Sequence, residues 1–249
     1  MKLANGANMT GNQGVIMLLT RNDAFRVVFN LRTPISQNAE EFGTGLFVNK
    51  TDKELFLVTA SHVAKTCNIN TQVVISDQNG NSKSFRLLDF NPRLAWVHHP
   101  IADVCALRIV PNDLIAPELS SRFFPYSQLN TCVSAPPRDD ELTCVGFPSG
   151  LGIYGNFSPL TYRSFASSSI VNFPRSDSFV NCDFFLLENP SVGGYSGCPV
   201  FDLGIVVNGG MTTTKANTIC YGIMHGTLGD NSGGKLSIVT PAYYITQII

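Results

Sequence analysis

Short apolar runs separated by polar turns recur along the chain, and each run has the length of a β-strand. The runs are enriched in β-branched and aromatic residues, which is typical of strands. They lie at residues 54–59, 72–76, 104–110, 142–147, 179–187, 220–224 and 236–239. Turn sequences such as Gln78-Asn79-Gly80 and Asn208-Gly209-Gly210 separate them. The pattern predicts an all-β protein.

Helices are expected to be few and short, because no amphipathic helical pattern of twelve or more residues is present. One helix is predicted at the C-terminus, where Thr240 can cap, Pro241 occupies the first helical position and residues 242–249 follow. Residues 1–13 are polar and rich in Gly and Asn, and they predict a flexible N-terminal arm.

Length and charge limit the kinds of partner. A chain of 249 residues with 44% hydrophobic residues can bury a large core and is long for one small domain. Residues 111–125 are polar and contain prolines, which suits a connector between two halves. The net charge of −1 and the 14% of charged residues give no basic stripe, so no nucleic-acid partner is expected. No apolar run approaches the roughly 18 residues of a membrane helix, so no membrane partner is expected.

The cysteines indicate the compartment. There are seven, at positions 67, 105, 132, 144, 182, 198 and 220, and none forms a Cys-x-x-Cys pair. Zinc-ribbon and thioredoxin-like sites therefore lack their ligand spacing. The apolar run at residues 15–19 is too short for a signal sequence. Reduced thiols in a cytoplasm, of a bacterial cell or a virus-infected host cell, are the simpler interpretation.

One serine stands among three glycines in Gly193-Gly194-Tyr195-Ser196-Gly197-Cys198-Pro199. Glycines let the backbone bend tightly and turn several N–H groups toward one point. A serine hydroxyl becomes a useful nucleophile when a base takes its proton and donors receive the charge on the attacked carbonyl. Ser196 is the candidate nucleophile.

The candidate base is His62 and the candidate orienting acid is Asp103, which opens a strand of alternating apolar residues. The chain order is then His, Asp, Ser. The α/β-hydrolases place the serine first and the subtilisins place the aspartate first, so both orders are excluded.

Several segments resemble the motifs of trypsin-like serine peptidases of the intracellular bacterial or viral type. Thr59-Ala60-Ser61-His62 is similar to the segment that carries the base, residues 102–107 to the strand that carries the acid, and residues 194–199 to the nucleophile loop. Residues 43–48 and 145–150 give supporting matches. The resemblance extends over roughly residues 40 to 245.

The resemblance implies a fold and a reaction. The fold would be two six-stranded antiparallel β-barrels, at residues 14–118 and 119–249, with a short helix ending the second. The reaction would be cleavage of polypeptides by a serine endopeptidase through an acyl-enzyme, with the N–H groups of Gly194 and Ser196 as the oxyanion hole. No cofactor and no metal are expected.

The same resemblance implies a pocket for the substrate residue before the cut. It would be lined by Asn189, Pro190, Ser191, Met224, His225 and Gly226. No acid stands where trypsin carries one, so cleavage after Arg or Lys is disfavoured. Glu- and Gln-selective relatives carry a histidine on this strand. Here it is one position later, which places its side chain on the other face of a regular strand, so a surface or structural role is favoured.

Two further patterns in the sequence do not predict a site. Residues 150–155 match a dinucleotide-binding pattern without a following helix, and His98-His99 has no further metal ligands at useful spacing. Cys198 is expected to be a small buried hydrophobe. Tyr195 replaces the aspartate that pairs with a new N-terminus in the pancreatic branch, so no such activation is expected.

The alternative function is a latent or inactive trypsin-like domain that binds peptides or partner proteins, and an activating protein partner is a related possibility.

Overall fold

The structure is a computed structural model, and it describes residues 17–208 and 211–249. The predicted flexible arm at residues 1–13 lies outside the described residues. Within them, no helix is long and apolar enough to cross a membrane.

The first sheet is built from the N-terminal half of the chain. Its elements in chain order are α1 (Arg21–Val27), β1 (Val28–Ser36), β2 (Ala39–Thr51), β3 (Glu54–Thr59), α2 (Ser61–Thr66), β4 (Gln72–Ser76), β5 (Ser82–Arg86), α3 (Leu87–Phe90), β6 (Trp96–His98), β7 (Cys105–Arg108) and β8 (Phe124–Pro125). The strands are hydrogen-bonded in the order β5-β4-β1-β2-β3-β7-β6, and β8 adds to β2 in parallel.

The second sheet is built from the C-terminal half. Its elements are β9 (Leu142–Gly146), β10 (Leu160–Ser164), β11 (Val171–Pro174), β12 (Asn181–Leu187), β13 (Pro199–Asp202), β14 (Ile205–Asn208), β15 (Met211–Thr214), β16 (Ile219–Gly229), β17 (Lys235–Pro241) and α4 (Tyr243–Thr246). The order is β10-β9-β13-β16-β17-β12-β11, while β14 and β15 form a separate two-stranded ribbon.

The prediction of an all-β fold is confirmed. The prediction that its strands form two closed six-stranded barrels is wrong. The described strands form one eight-stranded and one seven-stranded sheet, and neither is a closed barrel. Closure needs a ladder of hydrogen bonds between the two end strands. In the second sheet, the segment after β10 pairs with β12 at one bridge, between Ala166 and Leu187. Two backbone hydrogen bonds flank this bridge and the hydroxyl of Ser168 accepts the N–H of Leu186, so the contact is local and does not form a ladder. The division between residues 118 and 119 stays a prediction.

The predicted strands are found, with adjusted ends. β3 and β4 coincide with the predicted runs at 54–59 and 72–76, whereas β16 continues to Gly229. The C-terminal helix is also present, but it is shorter than expected. Thr240 and Pro241 belong to β17, and α4 starts after Ala242. Pairing of Thr240 with Ile223 in the sheet prevails over the local capping signal.

One apolar cluster joins the two sheets. It contains Val28 and Val48 from the first sheet and Val145 and Phe201 from the second, all buried. The rings of Phe124 and Phe201 lie 5.1 Å apart within it. Burial of aromatic and branched side chains is the main stabilising term of such a junction. His62 and Asp103 come from the first half of the chain and Ser196 from the second, so this junction lies between the elements that carry them.

Candidate active site

His62 and Asp103 are directly joined. His62 lies in the first turn of α2, which follows β3 after one residue. Its backbone N–H donates to Asp103 Oδ1 at 2.9 Å, and its Nδ1 lies 2.6 Å from Asp103 Oδ2. The carboxylate thus satisfies a free N–H at the start of the helix and orients the imidazole at the same time.

The turn before Asp103 is fixed by His99. Its Nδ1 accepts the backbone N–H groups of Ile101 and Ala102 at 3.2 and 3.0 Å. The proton must then be on Nε2, which donates to Gln247 Oε1 at 2.9 Å. His98 faces a different partner, since its Nδ1 lies 2.6 Å from Ser61 Oγ. The two neighbouring histidines therefore do not converge on one point.

Asp103 receives two more donors, both from the second half of the chain. His225 Nδ1 lies 2.5 Å from Oδ2, and Arg175 Nη2 lies 3.3 Å from Oδ1. Burial by itself raises the pKa of Asp103, but the hydrogen bonds from His225 and His62 outweigh it and hold that pKa well below its usual range. The carboxylate is therefore ionised at neutral pH.

A β-bulge brings His225 to this position. The register between β16 and β17 shifts between Met224 and Gly226, so His225 is the extra residue. A bulge re-aims the side chain that it contains. The ring is buried and packs on Phe184 at 5.2 Å and edge-on against His62 at 5.8 Å between centroids.

Backbone geometry defines the loop around Ser196. Gly194 and Gly197 have φ of 96° and 82°, a region that favours glycine. A Cβ at Gly194 would collide with the carbonyl oxygen of Phe147. Thr44 ties the loop to the first sheet, because its N–H donates to Ser196 O at 2.9 Å and its hydroxyl donates to Gly194 O at 2.8 Å.

Several N–H groups of this loop are unused. Among the described residues, those of Gly193, Gly194 and Ser196 donate to no protein acceptor. The carbonyl of Gly193 is held by the N–H of Ser149 at 2.8 Å. Ser149 itself has φ of 51°, an uncommon value for a serine.

Ser196 shares a cleft with His62. The cleft has a volume of about 330 Å³, and Phe42, Gly43 and Val63 are among its other lining residues. The hydroxyl of Ser196 lies 3.4 Å from the carbonyl oxygen of His225, and no hydrogen bond joins it to His62 within the described part of the chain. Catalytic hydrogen bonds are often long before substrate binds.

The six residues predicted to line the pocket for the substrate residue before the cleaved bond have different environments. Asn189 is held by Ser164 Oγ and by the carbonyl of Arg163. Ser191 Oγ lies 2.9 Å from Thr227 Oγ1. Met224 is fully buried in the core of the second sheet. Pro190 is exposed, while His225 and Gly226 line a second cleft.

This second cleft has a volume of about 180 Å³, and His62 lines it as well as the first cleft. Ser176, Asp177 and Thr227 are among its remaining lining residues. It borders one edge of β16. β13 pairs with β16 only from Ile219 to Ile223, whereas β17 pairs with the opposite edge as far as Gly229.

His62, Asp103 and His225 are a group of side chains of the type that binds metal ions. The two Nδ1–Oδ2 distances of 2.6 and 2.5 Å are those of charge-assisted hydrogen bonds. A metal held by these atoms would have to replace both N–H hydrogens beside the cation of Arg175. The arrangement suits a hydrogen-bonded cluster better than a metal centre.

The other side chains of the loop are structural. Tyr195 is buried and packs edge-on against Tyr162 at 5.1 Å. Cys198 is fully buried, and this burial raises the pKa of its thiol well above the usual value. All seven cysteines are free.

Arg175 was not predicted from the sequence, and neither was the contact of His225 with Asp103. Arg175 and Asp103 are 72 positions apart, so no local pattern links them. The Gly226 that follows His225 was the one available signal, since glycine in a strand often marks a bulge.

The profile of a family described as "Trypsin-like peptidase domain" matches residues 43–209. No match was found among curated protein sequences.

Three solved structures show the same fold. The inactive form of a serine-to-alanine mutant of Rv3671c from M. tuberculosis H37Rv has a TM-score of 0.57 and 16% identity, with 94% of each chain covered. The active form of the Rv3671c protease from M. tuberculosis also has a TM-score of 0.57 and 16% identity, over 91% of this chain and 80% of that one. An HtrA-type protease, AlgW with decapeptide, has a TM-score of 0.52 and 14% identity, over 90% of this chain and 64% of that one.

The family match extends over more than half of the chain and includes His62, Asp103 and Ser196. These structures share its fold, which is chymotrypsin-like. The chain belongs to the trypsin-like peptidase domain family, and it is a hydrolase of the serine endopeptidase class.

Proposed function

We propose that Ser196, His62 and Asp103 form the catalytic triad of this peptidase. Ser196 Oγ attacks the scissile carbonyl, His62 takes its proton and later gives it to the leaving amine, and Asp103 holds His62 in the required tautomer. Water then releases the acyl-enzyme. The observation that carries this proposal is the His62–Asp103 pair, joined at 2.6 Å, in the same cleft as Ser196.

The oxyanion would be bound by the N–H groups of Gly194 and Ser196. Both are free of protein acceptors among the described residues, and the φ of 96° at Gly194 belongs to a tightly turned backbone. Preorganised donors of this kind stabilise charge that develops only during reaction.

The substrate would bind as an added strand along β16. Its edge from His225 to Thr227 lies beyond the part that pairs with β13, and it borders the second cleft. Main-chain hydrogen bonds along such an edge depend little on side chains. The AlgW structure contains a decapeptide, as its description states, which agrees with a polypeptide substrate.

A fluorophosphonate probe tests the triad because it reacts with activated serines. We expect labelling of the native chain, none of Ser196→Ala, and a rate at least about 10⁴-fold lower for His62→Ala. Ser120→Ala, a change at an exposed serine elsewhere, is the matched control and should be labelled like the native chain.

Other results would favour the alternative function. Absence of labelling in every condition would indicate a domain that only binds peptides, and labelling that needs an added protein would indicate latency. An activating partner and a cytoplasmic location stay predictions from the sequence.

A further inference from the structure

Arg175 is a buried cation whose charge is shared between two carboxylates. Its side chain is 5% exposed. Nη2 lies 3.3 Å from Asp103 Oδ1 and 2.5 Å from Asp177 Oδ2, and Nε lies 2.8 Å from Asp177 Oδ1. Nη1 donates to the carbonyl of Ile101 at 3.0 Å. A guanidinium is rarely buried unless acceptors satisfy it in this way.

The backbone at Arg175 belongs to a tight turn between β11 and β12. Its N–H donates to Val180 O at 3.0 Å, and its carbonyl accepts the N–H of Phe179 at 2.9 Å. The next two residues, Ser176 and Asp177, line the second cleft beside His62 and His225. Arg175 therefore connects a wall of this cleft to the acid that orients His62.

We propose that Arg175 is a positioning residue for Asp103, and that the Arg175–Asp177 ion pair sets the pH at which His62 can accept the proton of Ser196. This inference rests on the proposed function, because it assumes that His62 is the base. Among the described residues, the side chain of Arg175 donates to Asp103, Asp177 and the carbonyl of Ile101 and not to Ser196, so it acts through Asp103.

With neutral imidazoles, the group formed by Asp103, Arg175 and Asp177 carries a net charge of −1, and protonation of His62 neutralises it. Removal of the Arg175 charge leaves two carboxylates, which favour the protonated form of the His62 imidazole. Removal of the Asp177 charge leaves the Arg175 cation without its partner, and this cation disfavours the protonated form of His62.

The remaining titratable groups around His62 stay constant in this comparison. Lys65, on the same helix, lies 3.8 Å from Asp177. The other groups are His225 on β16, Glu41 in the first cleft and His98, which is bonded to Ser61. None of them is altered by the substitutions.

The test is the rate of fluorophosphonate labelling between about pH 5 and pH 9, because the acidic limb of this profile reports protonation of the base. In Arg175→Gln, we expect the midpoint of this acidic limb to shift to higher pH by about one unit. In Asp177→Asn, we expect it to shift to lower pH by about one unit. The double variant should return toward the native profile. Arg86→Gln, which removes an exposed arginine from an ion pair with Asp89, is the matched control and should not move the limb.

Two further variants and a second readout keep the test decisive. Arg175→Lys keeps the positive charge but loses the planar set of guanidinium N–H donors. The acidic limb of its pH profile should therefore stay at the native pH, while its maximal labelling rate falls. If Arg175→Gln does not fold, this variant and Asp177→Asn decide the question. Histidine titration by NMR follows the same shifts without any labelling.

Opposite shifts in Arg175→Gln and Asp177→Asn support the inference. Shifts in the same direction, or unchanged profiles in folded variants, overturn it while leaving the triad intact. If the native chain is not labelled at all, the proposed function fails, and the NMR titration still shows whether the ion pair controls His62.

Discussion

His62 and His225 meet at one atom, Oδ2 of Asp103, with their Nδ1 atoms at 2.6 and 2.5 Å from it. An ionised carboxylate only accepts, so both rings must carry a hydrogen at Nδ1. Each imidazole, when neutral, then keeps its lone pair on Nε2. The two histidines thus make the same Nδ1 hydrogen bond to Asp103, and they differ in the surroundings of Nε2.

The first prediction separates these two histidines. His225→Ala should lower the rate of fluorophosphonate labelling by about 10- to 100-fold, because one charge-assisted hydrogen bond to Asp103 is lost. His225→Asn should recover part of this loss, since its amide can donate near the former Nδ1 position. A decrease as large as that of His62→Ala would contradict the assignment of His62 as the base.

The second prediction concerns stability and pH. The pKa of Asp103 is lower in the folded state, so its ionisation stabilises the fold at neutral pH, and this contribution is lost as the pH falls from about 4 toward the folded pKa. At neutral pH, the free energy of unfolding of the native chain should exceed that of Asp103→Asn. Below about pH 4, this excess should shrink by about 1.4 kcal/mol per pH unit.

Urea unfolding of both proteins at several pH values measures this excess. Asp113→Asn, at an exposed aspartate, is the control and should differ from the native chain by the same amount at every pH. An excess for Asp103 that does not change down to about pH 3 would refute the prediction.

The third prediction concerns the two adjacent glycines of the nucleophile loop. Gly194→Ala would require an alanine at φ of 96° and a Cβ against the carbonyl of Phe147, so the loop must move. Loss of one oxyanion donor lowers turnover by about 10²- to 10³-fold, and we expect a similar decrease in labelling rate.

Gly193→Ala is the matched control for this change. A Cβ at Gly193 would meet no atom within 4 Å. Its labelling rate should remain close to the native value. Equal losses in the two variants would show that general stiffening of the loop matters, rather than the position of the Gly194 N–H.

The fourth prediction concerns Phe179, which has φ of 57° and a side chain that is 83% exposed. A bulky residue in this left-handed region is strained by about 1–3 kcal/mol. Phe179→Asn should raise the free energy of unfolding by about 1 kcal/mol, because asparagine tolerates this conformation. Phe179→Ala keeps the strain and should change it little. Urea unfolding measures both, and equal effects would exclude strain as the cause.

The alternation of apolar runs and turns predicted the class of fold and seven of the described strands, three in the first sheet and four in the second. It failed at the short helices. The six residues of α2 are too few to show a helical period, although they carry His62. It also did not reveal that the sheets stay open, since pairing between end strands depends on their relative positions in space.

The residues around Asp103 show a second limit. Local motifs made His62, Asp103 and Ser196 candidates, because each stands in a short pattern of its own, and their catalytic roles stay predictions. The role of His225 depends on a bulge that shifts the register of β16, and that of Arg175 on a contact across 72 positions. Contacts of this kind arise from the packing of one sheet on the other, which no short segment encodes.

The hydrogen bonds from Thr44 to Gly194 and Ser196 span about 150 positions of the chain. During translation, the first sheet leaves the ribosome with His62 and Asp103 well before Ser196 is made. The proposed triad can be completed only after the loop that carries Ser196 has emerged and docked onto Thr44. A growing chain that has not yet reached this loop therefore lacks a complete triad, and we expect it to cleave neither itself nor neighbouring proteins.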